Sequence, residues 1–312
     1  MRVAVIGAGG TGGYFGGLLA RAGHDVTFVA RGAHLDAIRA RGLTVNSRLA
    51  GNFTVRAAAT DDIHSIGPAD LVMVCVKTYS MDTVLPPLPS LVGPKTMIVS
   101  MQNGIDNEDR IAAVTGPEPV LGMAAQVSSF VQAPGVVGQI GGPGRLIFGE
   151  MAGGESARAA ALLTTFRDAG ITAELRPDIR LGLWEKFIFI CGVSGVTALT
   201  RLPMGLIFAD RETAALMRAT LEEAAAVARA EGVDVAPQFA EQAAASMAKM
   251  EPWFRGSMAQ DLLEGRRLEL ETLNGTVVRL GRVREVAVPV NWTIYAALRP
   301  FADGAPDVPK PA

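Results

Sequence analysis

The sequence predicts an α/β fold in which an N-terminal domain of the Rossmann type is followed by an all-α C-terminal domain. Three observations predict it. Short apolar runs alternate with helical segments up to about residue 174, the pattern becomes almost wholly helical after Asp178, and 312 residues suffice for about two domains. We expect a first domain at residues 1–177, a helical domain at 178–302 and a flexible tail at 303–312.

Each element of the first domain follows from local pattern. Short, predominantly apolar runs are typical of parallel strands that are buried on both faces of a sheet. They predict strands at residues 3–6, 26–30, 71–76, 96–100 and 120–124. In the Gly-rich segment 134–149, apolar residues alternate with other residues, which predicts a hairpin appended to the sheet. A predicted helix at 155–169 and a predicted strand at 171–175 complete the domain.

The second domain is predicted from helical periodicity and capping residues. Residues 211–231 are rich in Ala, Leu, Glu and Met, with Asp210 available as N-cap and Gly232 at the C-terminal end. The boundary between the domains is expected near Pro177.

Composition narrows the class of protein. Hydrophobic residues make up 49% and charged residues 19%, and 29 basic side chains balance 31 acidic ones, which indicates neither nucleic acid nor an anionic membrane as partner. The longest central uncharged run, residues 187–200, is shorter than the roughly 18 residues of a membrane span. Cys75 and Cys191 lack metal-site spacing, so no metal is expected. We expect a cytoplasmic, enzyme-sized protein.

Residues Gly7, Ala8, Gly9, Gly10, Thr11 and Gly12 match the pattern GxGxxG. The pattern follows an apolar strand and opens a helical stretch, which is the setting of a dinucleotide-binding loop. Gly7 permits the tight turn, Gly9 allows the backbone to approach a pyrophosphate, and Gly12 allows close packing of helix on strand. The alternative is a strand-to-helix turn without a ligand.

The residue after the second strand indicates which dinucleotide binds. An NAD site usually presents Asp or Glu there, whereas this chain continues as Ala30-Arg31-Gly32. Because the planar guanidinium pairs well with phosphate, Arg31 favours NADP(H). A solvated loop arginine is the alternative.

Two further strand ends carry polar residues. Lys77 follows the strand at 71–76, and Asn103 follows the strand at 96–100. Ligands of open α/β sheets lie beyond the carboxyl ends of the strands, so both side chains are candidates for contact with the cofactor or the reacting centre. Ordinary solvation, or turn formation at Asn103-Gly104, is the alternative.

Lys186 is the candidate proton donor. Carbonyl reduction needs a proton, and all three histidines lie in the first domain. Lys186 begins a strongly apolar helix just after the domain junction, where partial desolvation is expected to lower its pKa towards values useful for a general acid. A helix-end lysine that extends to water is an equally acceptable interpretation.

Ser257 and Glu269 form a second candidate pair. They are 12 positions apart, which places them about 120° out of phase on a regular helix. If both serve one site, Ser257 must lie at an N-cap or in the preceding loop, as Pro252 and Gly256 allow. The alternatives are a capping serine and a solvated carboxylate.

Taken together, these motifs resemble the ketopantoate reductase family. The segments VIGAGGTGGYFGGLLARAGHDVTFVAR, VKTYS, QNG, LWEKF and SMAQDLLEGRRLELETLNG occur in that family's order and spacing, over about residues 1–300. The resemblance implies a Rossmann domain, a helical second domain, and NADPH-dependent reduction of 2-dehydropantoate (ketopantoate) to pantoate in pantothenate biosynthesis.

The resemblance also implies roles for individual residues. Residues 7–12, Lys77, Asn103 and Val127 correspond to cofactor contacts, and Lys186 corresponds to the proton donor. Ser257, with Asn103 and Ser194, corresponds to substrate-binding positions, and Glu269 corresponds to a carboxylate that contacts the cofactor or holds the active-site network.

The chain departs from the family where asparagines are usual, since it has Ile190, Ser194 and Met204. A site without these polar groups binds ketopantoate less well and favours a more apolar 2-oxo acid. Three functions stay open: a 2-oxo acid reductase, a non-catalytic NADP-binding sensor, and a dehydrogenase of another carbonyl or imine. The partner is a small molecule, and apolar helices of the second domain allow a homodimer.

Overall fold

A computed structural model of the chain describes residues 1–306, so most of the predicted tail lies outside the described residues. The chain divides into two compact units, with the division between Leu183 and Trp184. The predicted boundary near Pro177 precedes the long helix in which this division falls.

The first unit is built on one sheet. Its strands are β1 (Arg2–Ile6), β2 (Asp25–Val29), β3 (Leu43–Ser47), β4 (Phe53–Val55), β5 (Ala58–Thr60), β6 (Leu71–Val74), β7 (Met97–Ser100), β8 (Val120–Ala133), β9 (Val136–Glu150) and β10 (Thr172–Leu175). The helices up to and including the long one are α1 (Gly10–Arg21), α2 (Gly32–Arg41), α3 (Met81–Val84), α4 (Asn107–Thr115), α5 (Ala157–Asp168) and α6 (Ile179–Thr200).

The strand order is β4-β3-β9-β8-β7-β6-β1-β2-β5, and β10 pairs with β9. The pairs from β5 through β2, β1, β6 and β7 to β8 are all parallel. Parallel neighbours end at the same edge of the sheet, so the residues that follow β1, β2, β6 and β7 meet at one edge. This is the edge at which open α/β sheets bind ligands.

Apolar side chains fill both faces of this sheet. In β1, Val3 and Val5 join a core cluster that includes Phe15 of α1, whereas Ala4 and Ile6 join a second cluster that includes Ile111 of α4. Because successive side chains of a strand point to opposite faces, a strand buried on both sides must be apolar throughout. The α/β class predicted from these runs is confirmed.

The structure corrects three details of the predicted sheet. Segment 134–149 is not itself a hairpin: β9 is a single strand that pairs antiparallel with β8, and only Pro134 and Gly135 form the turn. The third predicted strand ends at Val74 rather than at residue 76. Finally, β3, β4 and β5 were not predicted, and the antiparallel β3–β4 and β8–β9 pairs make the sheet mixed.

Beyond α6 the described residues of the second unit form no strand, and their regular structure is six α-helices and a 3-10 turn at Arg299–Phe301. The helices are α7 (Met204–Ala209), α8 (Arg211–Ala230), α9 (Phe239–Met247), α10 (Ser257–Leu263), α11 (Asn274–Val283) and α12 (Pro289–Leu298). The predicted cap of α8 is present, because Asp210 Oδ1 accepts hydrogen bonds from the N–H groups of Thr213 (2.9 Å) and Glu212 (3.0 Å). These bonds, that of Thr213 first, lower the pKa of Asp210.

A buried polar network joins the helices of this unit. The Glu223 carboxylate of α8 accepts the N–H groups of Val290 and Asn291 at the start of α12, both at 2.8 Å. The Asn291 Oδ1 in turn accepts the side-chain amide of Asn274 at 2.9 Å. Such bonds satisfy N–H groups that a helix start leaves without internal partners, and they fix α12 against α8.

Within the part of the chain that the structure describes, one helix is long and apolar enough to cross a membrane. It is α6, with 22 residues and a mean hydropathy of 1.3, and 72% of its apolar stretch is buried inside the protein. Burial of this extent is what a core helix shows, so length and composition alone make weak evidence for a span.

Candidate active site

The glycine loop lies between β1 and α1, at the edge of the sheet described above. Gly7 has φ +105°, a conformation that side chains rarely adopt. The Val29 carbonyl at the end of β2 accepts the N–H groups of both Gly7 (3.1 Å) and Ala8 (3.0 Å). The loop is therefore fixed to the neighbouring strand before any ligand binds.

Contacts around the glycines separate their roles. A Cβ on Gly12 would lie 2.1 Å from the Gly7 carbonyl oxygen, and one on Gly10 would lie 2.3 Å from the Ser129 carbonyl oxygen. A Cβ on Gly9, by contrast, would have no heavy atom within 4 Å. Gly10 and Gly12 are therefore required by packing, whereas Gly9 leaves an open face at the start of α1.

The open face fits a pyrophosphate. Helix α1 has no side-chain N-cap and no acidic residue in its first turn, so its first N–H groups and the positive end of its dipole remain available for an anion. The Ser129 carbonyl lies against Gly10, whereas the Ser129 hydroxyl is buried without a hydrogen-bond partner in residues 1–306.

Arg31 occupies the position after β2 that selects between dinucleotides. It is exposed and is the N-cap residue of α2, and it has no ion pair within the described residues. Ala30 precedes it, so no carboxylate takes the place of the acid that an NAD site usually presents. The guanidinium fits a 2′-phosphate.

Lys77 and Asn103 both lie at the same sheet edge, and a residue without a predicted role links their loops. Lys77 is half-buried and precedes a single 3-10 turn, Thr78–Ser80. The side-chain amide of Gln102 donates to the Val76 carbonyl at 2.7 Å and thereby joins the loop after β7 to the loop after β6. The Asn103 carbonyl accepts the side-chain amide of Asn107 at 2.8 Å. The segment Asn103–Gly104, where the sequence offered turn formation as an alternative, is a bend in which Gly104 has φ +104°.

Val127 lies in β8, next to Gln126, where the pairing with β9 shifts register. It is half-buried and packs against the first core cluster. A Cβ on Gly142 of β9 would lie 3.1 Å from the Val127 Cα. The structure thus gives Val127 a packing role, and its cofactor contact stays a prediction.

In the second unit, Lys186 is the eighth residue of α6 and lies on its partly exposed face. The prediction that Lys186 begins this helix is wrong, because α6 already starts at Ile179. Its neighbours Trp184 and Phe187 are buried, and their rings meet edge to face with centroids 5.5 Å apart. Phe189 and Ile190, three and four positions after Lys186, are half-buried like the lysine itself. Residues three and four apart share a helix face, so the surroundings of Lys186 along α6 are apolar.

Ser257 and Ser194 are brought to the same region of the second unit. Gly256 is the N-cap of α10 and Ser257 is its first residue, one position later than the predicted N-cap. The Gly256 N–H donates to Thr197 Oγ1 of α6 at 3.1 Å, and a Cβ on Gly256 would lie 2.8 Å from the Ser194 Cα. Ser194 is buried beneath Gly256, whereas Ser257 is exposed.

Glu269 lies outside any helix, in the segment between α10 and α11. It is only 6% exposed and stands between the buried residues Leu268 and Leu270. Its carbonyl accepts the Leu273 N–H, and the Leu268 N–H donates to the Ala302 carbonyl at 2.9 Å. The solvated helix carboxylate considered as an alternative therefore does not occur. Because a carboxylate is costly to bury, a buried carboxylate commonly marks a functional position.

The two cysteine thiols are buried and are not activated. Burial raises the pKa of the Cys75 thiol well above its usual range, and it does the same for Cys191, so neither thiol is activated as a nucleophile. In residues 1–306, no group of three or more His, Cys, Asp or Glu side chains is arranged to hold a metal ion.

Family models match both units of the chain. The family model described as "Ketopantoate reductase PanE/ApbA" matches residues 3–153, and "Ketopantoate reductase PanE/ApbA C terminal" matches residues 178–302. A 2-dehydropantoate 2-reductase of Mesorhizobium japonicum is 32% identical over 326 residues and aligns with 97% of this chain and 98% of its own length.

Solved structures resemble the chain over its whole length. A PanE/ApbA family ketopantoate reductase from Ralstonia eutropha JMP134 has 33% identity and a TM-score of 0.88, covering 97% of this chain and 98% of that chain. A D-mandelate dehydrogenase with NADH and anilino(oxo)acetate has a TM-score of 0.87 over 97% of this chain and 98% of that chain, but at 21% identity it shows the fold alone. On the evidence of both family models and these relatives, the chain belongs to the ketopantoate reductase family, a family of oxidoreductases.

Proposed function

We propose that the protein catalyses the NADPH-dependent reduction of a 2-oxo acid to a 2-hydroxy acid, with 2-dehydropantoate as the leading substrate. The observation that carries the cofactor assignment is the open face of Gly9 at the start of α1, with Arg31 two residues after the end of the neighbouring strand β2. The substrate assignment draws on relatives named 2-dehydropantoate 2-reductase, including one at 32% identity.

The residues of the first unit bind and orient the cofactor in this proposal. The glycine loop holds the pyrophosphate, and Arg31 pairs with the 2′-phosphate. Lys77, Asn103 and Val127 contact the rest of the cofactor, and Asn103 also reaches the substrate. When bound, the nicotinamide supplies the hydride that reduces the C2 carbonyl.

The residues of the second unit act on the substrate. Lys186 Nζ donates the proton to the C2 oxygen as negative charge develops there, because hydride addition leaves that oxygen needing a proton. Ser257 and Ser194 hold the substrate. Glu269 either contacts the cofactor or orients the active-site residues through hydrogen bonds.

A second candidate substrate is a 2-oxo acid with a more apolar side chain. Ile190 is half-buried one helical turn after Lys186, and Met204 is 1% exposed. A site that lacks hydrogen-bonding partners for a substrate hydroxyl loses much of its preference for that substrate. Branched and aromatic 2-oxo acids are therefore alternatives to ketopantoate for the same chemistry.

A panel of substrates tests the proposed function. Oxidation of NADPH and NADH is followed spectrophotometrically with ketopantoate, with 2-oxo acids that carry linear, branched and aromatic side chains, and with simple aldehydes, ketones and imines. We expect turnover with NADPH and at least one 2-oxo acid. Binding of NADPH without turnover of any 2-oxo acid would instead indicate a non-catalytic sensor, and turnover restricted to other carbonyls or imines would indicate a different dehydrogenase.

Arg31→Ala tests the cofactor preference. Charged hydrogen bonds of this kind contribute about 1.5–3 kcal/mol, so the KM for NADPH should rise about 10- to 150-fold. The KM for NADH, which lacks the 2′-phosphate, should change by less than about threefold on the same argument. Arg56→Ala, at another exposed arginine of the first unit, is the matched control. Equal effects on the two cofactors would contradict the assignment.

A further inference from the structure

His34 joins two segments that are distant in sequence. It lies in the first turn of α2 and is half-buried. Its Nε2 is 2.8 Å from the Ala8 carbonyl oxygen of the glycine loop. Its Nδ1 is 3.0 Å from the backbone nitrogen of Gly135, in the turn between β8 and β9. The sequence predicts only that His34 lies in a helix near the N-terminus, and it predicts neither contact.

The two partners determine which ring nitrogen carries the proton. A backbone N–H can only donate, so Nδ1 accepts the bond from Gly135 and carries no proton. A carbonyl oxygen can only accept, so Nε2 carries the proton and donates to Ala8. His34 is thus a neutral imidazole whose two nitrogens are both used, one towards the loop and one towards the hairpin turn.

The bond to Ala8 orients the loop where the phosphates would approach. In a trans peptide, the C=O of one residue and the N–H of the next point in opposite directions. Holding the Ala8 carbonyl towards His34 therefore turns the Gly9 N–H to the opposite side of the loop. Gly9 is the residue with the open face, so its N–H is a donor that a phosphate can use.

The bond to Gly135 fixes the hairpin over the same loop. The Ser129 carbonyl of β8 lies against Gly10, and a Cβ on Gly13 would lie 2.6 Å from Val137 Cγ2 of β9. Gly135 has φ +78° and its carbonyl accepts the Thr44 N–H at 2.9 Å. The hairpin turn is thus attached to β3 on one side and to His34 on the other.

We propose that His34 is a positioning residue of the dinucleotide site, which orients the Ala8–Gly9 peptide for the pyrophosphate through its Nε2–H bond. The inference rests on the proposed role of the glycine loop in binding the cofactor. Because NADPH and NADH share the pyrophosphate, His34 affects both cofactors equally, unlike Arg31. It contacts neither substrate nor reacting atoms in this role.

Two conservative variants separate the two bonds. The amide nitrogen of His34→Gln can replace Nε2–H and donate to Ala8, whereas the amide oxygen of His34→Asn can replace Nδ1 and accept from Gly135. His34→Ala removes both bonds. His64→Asn, at an exposed histidine in a 3-10 turn of the same unit, is the matched control. The measurements are Kd for NADPH and NADH by calorimetry, and Tm of the cofactor-free protein.

We expect His34→Ala and His34→Asn to raise Kd about five- to tenfold for both cofactors, the effect of one hydrogen bond, and His34→Gln to stay within about twofold of the unchanged protein. The kcat at saturating cofactor should be unchanged. Recovery of Kd by His34→Asn rather than His34→Gln would overturn the proposal, as would a lower Tm with unchanged Kd. If the unchanged protein binds neither dinucleotide, the proposed function fails as well; if it binds them and His34→Ala binds equally, only this inference fails.

Discussion

Lys186→Ala is expected to lower kcat with a 2-oxo acid by about 10²- to 10⁴-fold, the usual contribution of a positioned general acid. The Kd for NADPH should change by less than about twofold, because the glycine loop and Arg31, which hold the phosphates in the proposal, do not include this residue. Stopped-flow measurement of NADPH oxidation and calorimetric titration of NADPH check the two expectations separately.

Two further variants define what Lys186 contributes. Lys186→Arg keeps the positive charge but supplies a guanidinium that does not release its proton in proteins, so a general-acid role predicts that kcat stays low. Retained turnover in Lys186→Arg would instead assign an electrostatic role. Lys249→Ala, at an exposed lysine of the same unit, should leave both kcat and Kd unchanged.

Gly12→Ala should destabilise the first unit strongly. Alanine is normally favoured over glycine inside a helix by about 1 kcal/mol. Here the new methyl would lie 2.1 Å from the Gly7 carbonyl oxygen and 2.9 Å from the Cys75 Cβ, so the backbone must move. Overpacking typically costs about 1–3 kcal/mol, and a clash with backbone belongs at the upper end of this range, which a urea or thermal melt detects as a lower midpoint.

Gly9→Ala is the counterpart that tests the loop as a binding site. Its φ of −69° suits any residue, and a Cβ there meets no atom within 4 Å. Stability should therefore change by less than about 0.5 kcal/mol. The methyl group would occupy the face that the pyrophosphate approaches, so NADPH affinity should fall at least tenfold. Unchanged affinity in Gly9→Ala, measured by calorimetry, would argue against a phosphate at this face.

The central strands and the glycine loop could be predicted because their signals are local. Strands β1, β2, β6 and β7 are predominantly apolar, and residues 7–12 carry a spacing in which Gly7, Gly9 and Gly12 each have a structural reason. The end of each such strand also predicted that Lys77 and Asn103 lie at the ligand-binding edge. The α/β class and the family followed from the same motifs.

The rest of the sheet depends on pairing that local pattern does not reveal. Strands β4 and β5 have three residues each, too few for an alternation to be recognised. The far half of β8 is half-exposed and acquires its strand conformation by pairing with β9. Likewise, the contacts of Gln102 with Val76 and of His34 with Gly135 join residues far apart in the chain.

In the second unit, the sequence placed Ser257 close to the start of a helix but left Glu269 ambiguous. Helix α10 ends at Leu263 and Glu269 belongs to no helix. The helical angle between Ser257 and Glu269 therefore does not apply. Its burial between Leu268 and Leu270 depends on the fold of the segment, in which the Leu268 N–H donates to the carbonyl of Ala302. A long-range contact of this kind leaves no pattern in the local sequence.

The two cysteines allow local unfolding of each unit to be measured separately by thiol labelling. Cys75 is the one cysteine of the first unit and Cys191 that of the second, since the chain has only two. Cys75 as a residue is half-buried, but its thiol packs against the first core cluster, beside Gly12; Cys191 is fully buried. A thiol reagent should therefore modify each cysteine only as its own unit opens. Mass spectrometry of the two labelled peptides would thus separate cofactor-induced protection of the first unit from any change in the second.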